Sequence, residues 1–223
     1  MFDLISEYDT QILEAFWVTI KLTAFSAIGA LILGTVVAAM RVSPVPVARW
    51  LGTAYVTIFR NTPLTLIIVF CSLGLYSALG WKLAGDSIAD NNYRWAIVGL
   101  SVYTAAFVCE SLRAGINTVP LGQSEAGRSL GFSFSQNLRL VVLPQAFRSV
   151  IAPLGSVLIA LTKNSTIAAA IGVAEAAKLM AEMIETEAAL LAIGAIFALG
   201  FVILTLPTGL LFGWLAKRFE VAR

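Results

Sequence analysis

The sequence predicts an all-α integral membrane protein: five transmembrane helices with a two-helix hairpin on the cytoplasmic side. Three observations carry this. Of the 223 residues, 59% are hydrophobic and only 13% charged, and the mean hydropathy of +0.87 lies far above that of soluble chains. The apolar residues gather into five long runs, each near the roughly 20 residues a helix needs to cross a bilayer. Between two of these runs, Glu125–Pro144 is polar and punctuated by glycine where a plain connection would serve. The length suits one bundle, so a single transmembrane domain over 1–223 is expected.

The first span is read as 16–40, its one charge, Lys21, near the outer end where a lysine can snorkel to the interface. Arg41 and the turn Ser43-Pro44-Val45-Pro46 close it. Acidic residues precede this run where a secretory signal needs a basic flank, so it is expected to be retained. Arg60-Asn61-Thr62-Pro63 interrupts the next apolar stretch. Thr62 as cap and Pro63 in a first turn would start the second span at 63–79, with Leu51–Phe59 an interfacial helix leading into it. The third span is 95–112. The fourth, 151–173, carries the polar break Lys163-Asn164-Ser165-Thr166 well inside its length. The fifth, 188–215, contains Pro207, which removes one helical hydrogen bond and should kink it locally. Trp50, Trp81, Trp95 and Trp214 stand near span ends and read as interface belts.

Charge orients the bundle. Asp3, Glu7, Asp9 and Glu14 precede span one, and Glu175, Glu182, Glu185 and Glu187 outnumber Lys178 between spans four and five. Arg41 and Arg49 follow span one; Arg113, Arg128, Arg139 and Arg148 lie between spans three and four; Lys217, Arg218 and Arg223 follow span five. The positive-inside rule then places the N-terminus outside and the C-terminus in the cytoplasm, together with the Glu125–Pro144 segment.

That segment has the chemistry of a compact hairpin, about 121–144. Leu121–Leu130 is helix-forming, Gly131 suits a left-handed terminating position, and Ser133 or Ser135 can cap a second helix running to Leu143, with Pro144 after it. On physical grounds alone an amphipathic loop resting on lipid headgroups fits as well.

Several functions are excluded or disfavoured. The +2 net charge is scattered and forms no phosphate-binding stripe, so nucleic acid is not expected. There is no histidine, which removes His-based catalysis and metal sites, and no metal is expected. Cys71 and Cys109 have no metal spacing and read as small core residues. No G-x-x-x-x-G-K-[ST] phosphate loop and no G-x-S-x-G occurs, so the chain is not expected to be an enzyme or to bind a cofactor.

Glu125, Ala126, Gly131, Leu143 and Pro144 follow the pattern E-A-A, three residues, G, nine residues, I-x-L-P, with Gly127 in place of the second alanine and Val141 in place of isoleucine. This resembles the signature of permease subunits of ABC importers. Phe59–Leu64, Glu110–Ile116 and Leu143–Arg148 extend the resemblance to the polar amino acid permeases, and AFWVTIKLT, RNTPLTL, ESLRAGINTV, LIALTKN and ILTLP are similar to the smaller permeases of actinobacterial glutamate uptake systems. Asn61 departs from the glycine common in that subfamily.

The resemblance implies a type I ABC importer permease fold in a bacterial cytoplasmic membrane. It implies import of a polar amino acid, glutamate first, by alternating access. It also implies a second permease subunit (a different chain, or a second copy in a homodimer), two ATPase subunits that carry ATP and Mg, and an extracytoplasmic solute-binding protein. Glu125, Ala126, Gly127, Gly131 and Pro144 would then form the ATPase-coupling hairpin. An ion-gradient-driven carrier or channel is the alternative, since a broken helix serves such proteins too.

Charges inside a bilayer are kept mainly for function. Lys163, Asn164, Ser165 and Thr166 are therefore candidates for the substrate path, with Lys163 favouring an anionic group; a lysine paired internally is the alternative. Arg60 is a weaker candidate, otherwise an interface anchor. Glu110 and Arg113, three residues apart, can share a helix face as a structural or gating pair, and Glu125 can pair with Arg128 or with a basic group on an ATPase.

Overall fold

The structure, a computed structural model, describes residues 2–219; Met1, the Asp3 side chain and Arg223 lie outside the described residues. In chain order the helices are α1 (Phe2–Val42), α2 (Pro46–Asn61), α3 (Leu64–Val69), α4 (Ile88–Asn117), α5 (Leu121–Ser129), α6 (Phe134–Asn137), α7 (Leu143–Asn164), α8 (Ala176–Glu187) and α9 (Leu190–Phe219). Two stretches of π-helix, Phe70–Ala78 after α3 and Leu138–Val142 after α6, and a 3-10 stretch, Ser165–Ile171 after α7, continue the helices they follow. No strand occurs among the described residues. Among the described residues four helices are long and apolar enough to cross a membrane, or five if the bent pair Pro46–Asn61 and Leu64–Ala78 counts as one span.

α1 begins well before the apolar run. Its polar first turns hold Leu4, Tyr8, Ile12 and Phe16 at four-residue steps, which places them on one face. That face packs against Met183, Ile193 and Phe197 of α8 and α9, and Phe16 stacks on Phe197 at 5.7 Å. Farther along, α1 lies against α4 at small residues. A Cβ on Gly29 would stand 2.5 Å from Ser101 Oγ, and one on Gly34 2.6 Å from Val108. Close approach through small residues is how helices associate in a medium as apolar as their own side chains, where the gain is van der Waals contact rather than hydrophobic transfer.

The bend between α2 and α3 is 102°. Proline lacks an N–H and disfavours the helical region for its predecessor, and Thr62 is extended at φ −96°. Thr62 does not cap the helix that follows it, contrary to what its spacing suggests. Thr62 Oγ1 donates back to Ile58 O at 2.8 Å, and Pro63 occupies the cap position of α3 with no side-chain bond. Leu22, Ile68, Leu100 and Leu161 meet in the centre, where α1, α3, α4 and α7 converge.

Trp95 also differs from expectation. It is 5% exposed, packs on Ile67 and Cys71, and donates its indole N–H to Trp81 O at 3.0 Å, so it is core rather than an interface belt. α4 starts earlier than the apolar pattern because Ser87 accepts from Asp90 N, and because buried Asn91 satisfies the 83–87 loop, accepting from Leu83 N at 2.8 Å and donating to Ser87 O at 2.8 Å. α8 lies in what reads as a connecting loop. Glu175 caps it by accepting from Lys178 N at 3.0 Å.

Cys71 and Cys109 are buried free thiols, as the sequence suggests.

Candidate functional site

The segment from Leu121 to Pro144 folds as two short helices joined at Gly131, whose φ of +84° is the left-handed conformation glycine accepts without strain. The turn is a Schellman closure: Gly131 N donates to Arg128 O at 2.9 Å and Phe132 N to Gly127 O at 3.1 Å, which satisfies carbonyls at the end of α5. Of the two candidate caps, Ser133 starts α6. It accepts from Gln136 N at 3.3 Å while Gln136 Oε1 accepts from Ser133 N at 2.8 Å.

Pro144 does not separate the hairpin from the following span. Residues 134–171 form one continuous helix. The missing proline N–H is accommodated by the π-helical stretch before it, in which Leu143 N donates to Leu138 O, while Gln145 Nε2 donates to Val141 O at 2.8 Å. The second hairpin helix is thus continuous with α7.

Glu125 and Ala126 are exposed on α5, and Glu125 makes no ion pair with Arg128 among the described residues. Gly127 is buried. Asn137, which sequence spacing does not single out, explains why: a Cβ on Gly127 would stand 2.5 Å from Asn137 Oδ1. The base of the hairpin is equally tight. A Cβ on Gly115 would stand 2.1 Å from Val150 Cγ2, and Thr118 Oγ1 donates to Gly115 O at 2.7 Å and lies 3.1 Å from Ser149 Oγ. α4 and α7 therefore enter and leave the hairpin as a clamped pair.

Glu110 has more partners than the expected one. Arg113 Nη2 approaches its Oε2 at 3.6 Å, Arg60 Nη1 approaches the same oxygen at 3.6 Å, and Arg41 of α1 donates to Oε1. Arg60 also stands over the Phe107 ring at 5.8 Å. One carboxylate joins α1, α2 and α4, and Arg41 is the member that sequence spacing gave no means of finding.

The polar segment of the fourth run is a change of helix type rather than an opened chain, since α7 runs through Lys163 and Asn164 before tightening at Ser165. Ser165 is buried and donates to Thr162 O at 2.8 Å; Thr166 donates to Lys163 O at 2.8 Å. Lys163 is exposed, and neither it nor half-buried Asn164 makes a side-chain hydrogen bond among the described residues. The 3-10 stretch ends at left-handed Gly172, and its carbonyl at Ile171 accepts from Asn92 Nδ2 at 2.7 Å. No cluster of His, Cys, Asp or Glu that could hold a metal occurs among the described residues.

The sequence profile of the binding-protein-dependent transport system inner membrane components matches residues 30–221. The chain belongs to that family. As a family member it is a membrane-embedded transport permease, with no enzymatic activity of its own implied by that membership.

The chain is 57% identical to the glutamate transport system permease protein GluC of Corynebacterium efficiens and 54% identical to GluC of Corynebacterium glutamicum, over the full length of both partners in each case. A solved amino acid ABC transporter with histidines superposes with a TM-score of 0.86 over 98% of each chain, at 24% identity. The permease thus has the fold of ABC importer membrane subunits.

Proposed function

We propose that the permease carries glutamate, or a close polar amino acid, across the cytoplasmic membrane by alternating access, driven by ATP hydrolysis in a separate subunit. The observation that supports this most is the hairpin. Its two helices are closed on each other by local bonds and the second is continuous with α7, so a push on the hairpin moves a helix of the bundle rather than being lost in a loop. The full-length likeness to GluC proteins supports glutamate as the solute.

In this reading the hairpin faces the cytoplasm and Glu125, Ala126, Gly127, Gly131 and Pro144 make or shape the contact with one of two ATPases, which hold ATP and Mg. A second permease subunit completes the path, and an extracytoplasmic solute-binding protein delivers the amino acid. We assign the contact with it to Lys163 and Asn164, whose side chains make no hydrogen bond among the described residues; Ser165 and Thr166 have turned their hydroxyls to the backbone. Lys163 favours an anionic solute by charge.

The test is uptake of labelled glutamate into proteoliposomes that hold the whole assembly, with ion gradients collapsed by ionophores and other amino acids as competitors. ATP-dependent uptake displaced by glutamate supports the proposal. Uptake that follows an ion gradient and ignores ATP contradicts it.

A further inference from the structure

Asn137 stands at the end of the four-residue α6 and is 6% exposed. Its Nδ2 crosses to α5, donating to Ser124 O at 2.9 Å and to Ser124 Oγ at 2.7 Å. Ser124 and Gly127 are three residues apart and share one face of α5. The other half of the amide, Oδ1, lies against Gly127 at the place a side chain would occupy, and receives no donor among the described residues.

We propose that Asn137 is a positioning residue for transport: its amide fixes the angle between the two hairpin helices, and Gly127 is glycine because that amide needs the space. The proposal rests on the reading that the hairpin receives the motion of an ATPase. The turn at Gly131 ties the start of α6 to α5 but leaves its tilt open, so the setting of α6 on α5 depends on what else crosses between them. Beyond the turn at Gly131, the Asn137 amide supplies the hydrogen bonds that do so. Because α6 continues into α7, whatever sets its angle sets the direction in which a push on the hairpin reaches the bundle.

The pairing also accounts for the departure from the E-A-A pattern. An alanine at 127 would force the Asn137 amide to swing away and release both bonds to Ser124. With a smaller residue at 137 an alanine fits, so the two positions are expected to depend on each other.

The experiment compares Gly127→Ala, Asn137→Ala and the double variant in the reconstituted assembly, reading ATP hydrolysed per glutamate imported, with expression and assembly checked separately. In parallel, spin labels at the exposed positions Gln123 and Ser135 report the distance between the helices in the purified chain.

Each single substitution is expected to raise the ATP consumed per glutamate by about tenfold and to broaden the label distance, as overpacking or loss of a clamp does. The double variant also lacks the amide and is expected to be no worse than Asn137→Ala alone, since the added methyl then meets no amide. A single variant that couples normally with an unchanged distance, or a double variant no better than the product of the singles, overturns the proposal. Absence of ATP-driven uptake in the unsubstituted assembly is a different failure: it removes the functional reading, and the positioning role with it.

Discussion

Glu110 of α4 accepts a hydrogen bond from Arg41 of α1, across 69 positions of sequence. The bond ties the end of the first helix to the one that leads into the hairpin, and Arg60 and Arg113 close on the same carboxylate.

Replacing Glu110 with glutamine therefore leaves three guanidinium groups without their anion. Removing one partner of a buried pair costs about 3–5 kcal/mol, and the partial exposure here lowers the expectation to about 1–3 kcal/mol. Thermal unfolding of the purified chain checks this. Replacing Arg113 alone should cost less, since it is half-exposed and its nitrogen stands 3.6 Å away.

Gly131→Val places a β-branched residue at a φ of +84°. The left-handed conformation costs an ordinary residue about 1–2 kcal/mol, enough to unseat the turn without unfolding the spans. ATP hydrolysis should continue while glutamate uptake falls, and the ratio of the two measures it. Equal losses in both would mean the hairpin fails to bind an ATPase rather than to transmit its motion.

Glu175 lies outside the spans, fully buried beside Thr19, and burial holds its carboxyl above the ordinary glutamate value of about 4.3. An acid whose folded value is raised favours the folded state while it is protonated, and that advantage disappears as pH rises through the folded value. Unfolding temperature in detergent should fall over that interval, starting above about pH 4.3. Glu175→Gln should flatten the dependence; an unchanged slope would assign it to another group.

Lys163→Gln removes the exposed cation of the polar segment. If it meets the solute, uptake of glutamate relative to glutamine should fall by about tenfold, the scale of one charge-assisted hydrogen bond. An unchanged ratio would leave Lys163 with a structural role only.

What the sequence makes legible is local. Gly131, Ser133 and the apolar runs act through near neighbours, so the hairpin and the bundle can be read directly from the order of residues. Glu110 with Arg113 is legible for the same reason, at three residues' spacing. Arg41 is not, because its partner is set by how α1 lies on α4, and neither is Asn137, whose role exists only once α6 folds back on α5. Trp95 misleads because position along a span does not say which side of the helix meets the bundle. α8 escapes notice because its glutamates outweigh the apolar spacing that buries Ala176 and Met183. Thr62 could cap in either direction, and the bend decides it.

In the proposed function the Glu125–Pro144 hairpin is a cytoplasmic contact for an ATPase. Its most direct measurement is the labelling of a single cysteine at exposed Leu130 by a membrane-impermeant maleimide, the native Cys71 and Cys109 being buried. The expected result is labelling in inside-out vesicles but not in intact cells, and protection when the ATPase is bound. Labelling from outside the cell, or labelling from within that the ATPase leaves unchanged, would contradict it.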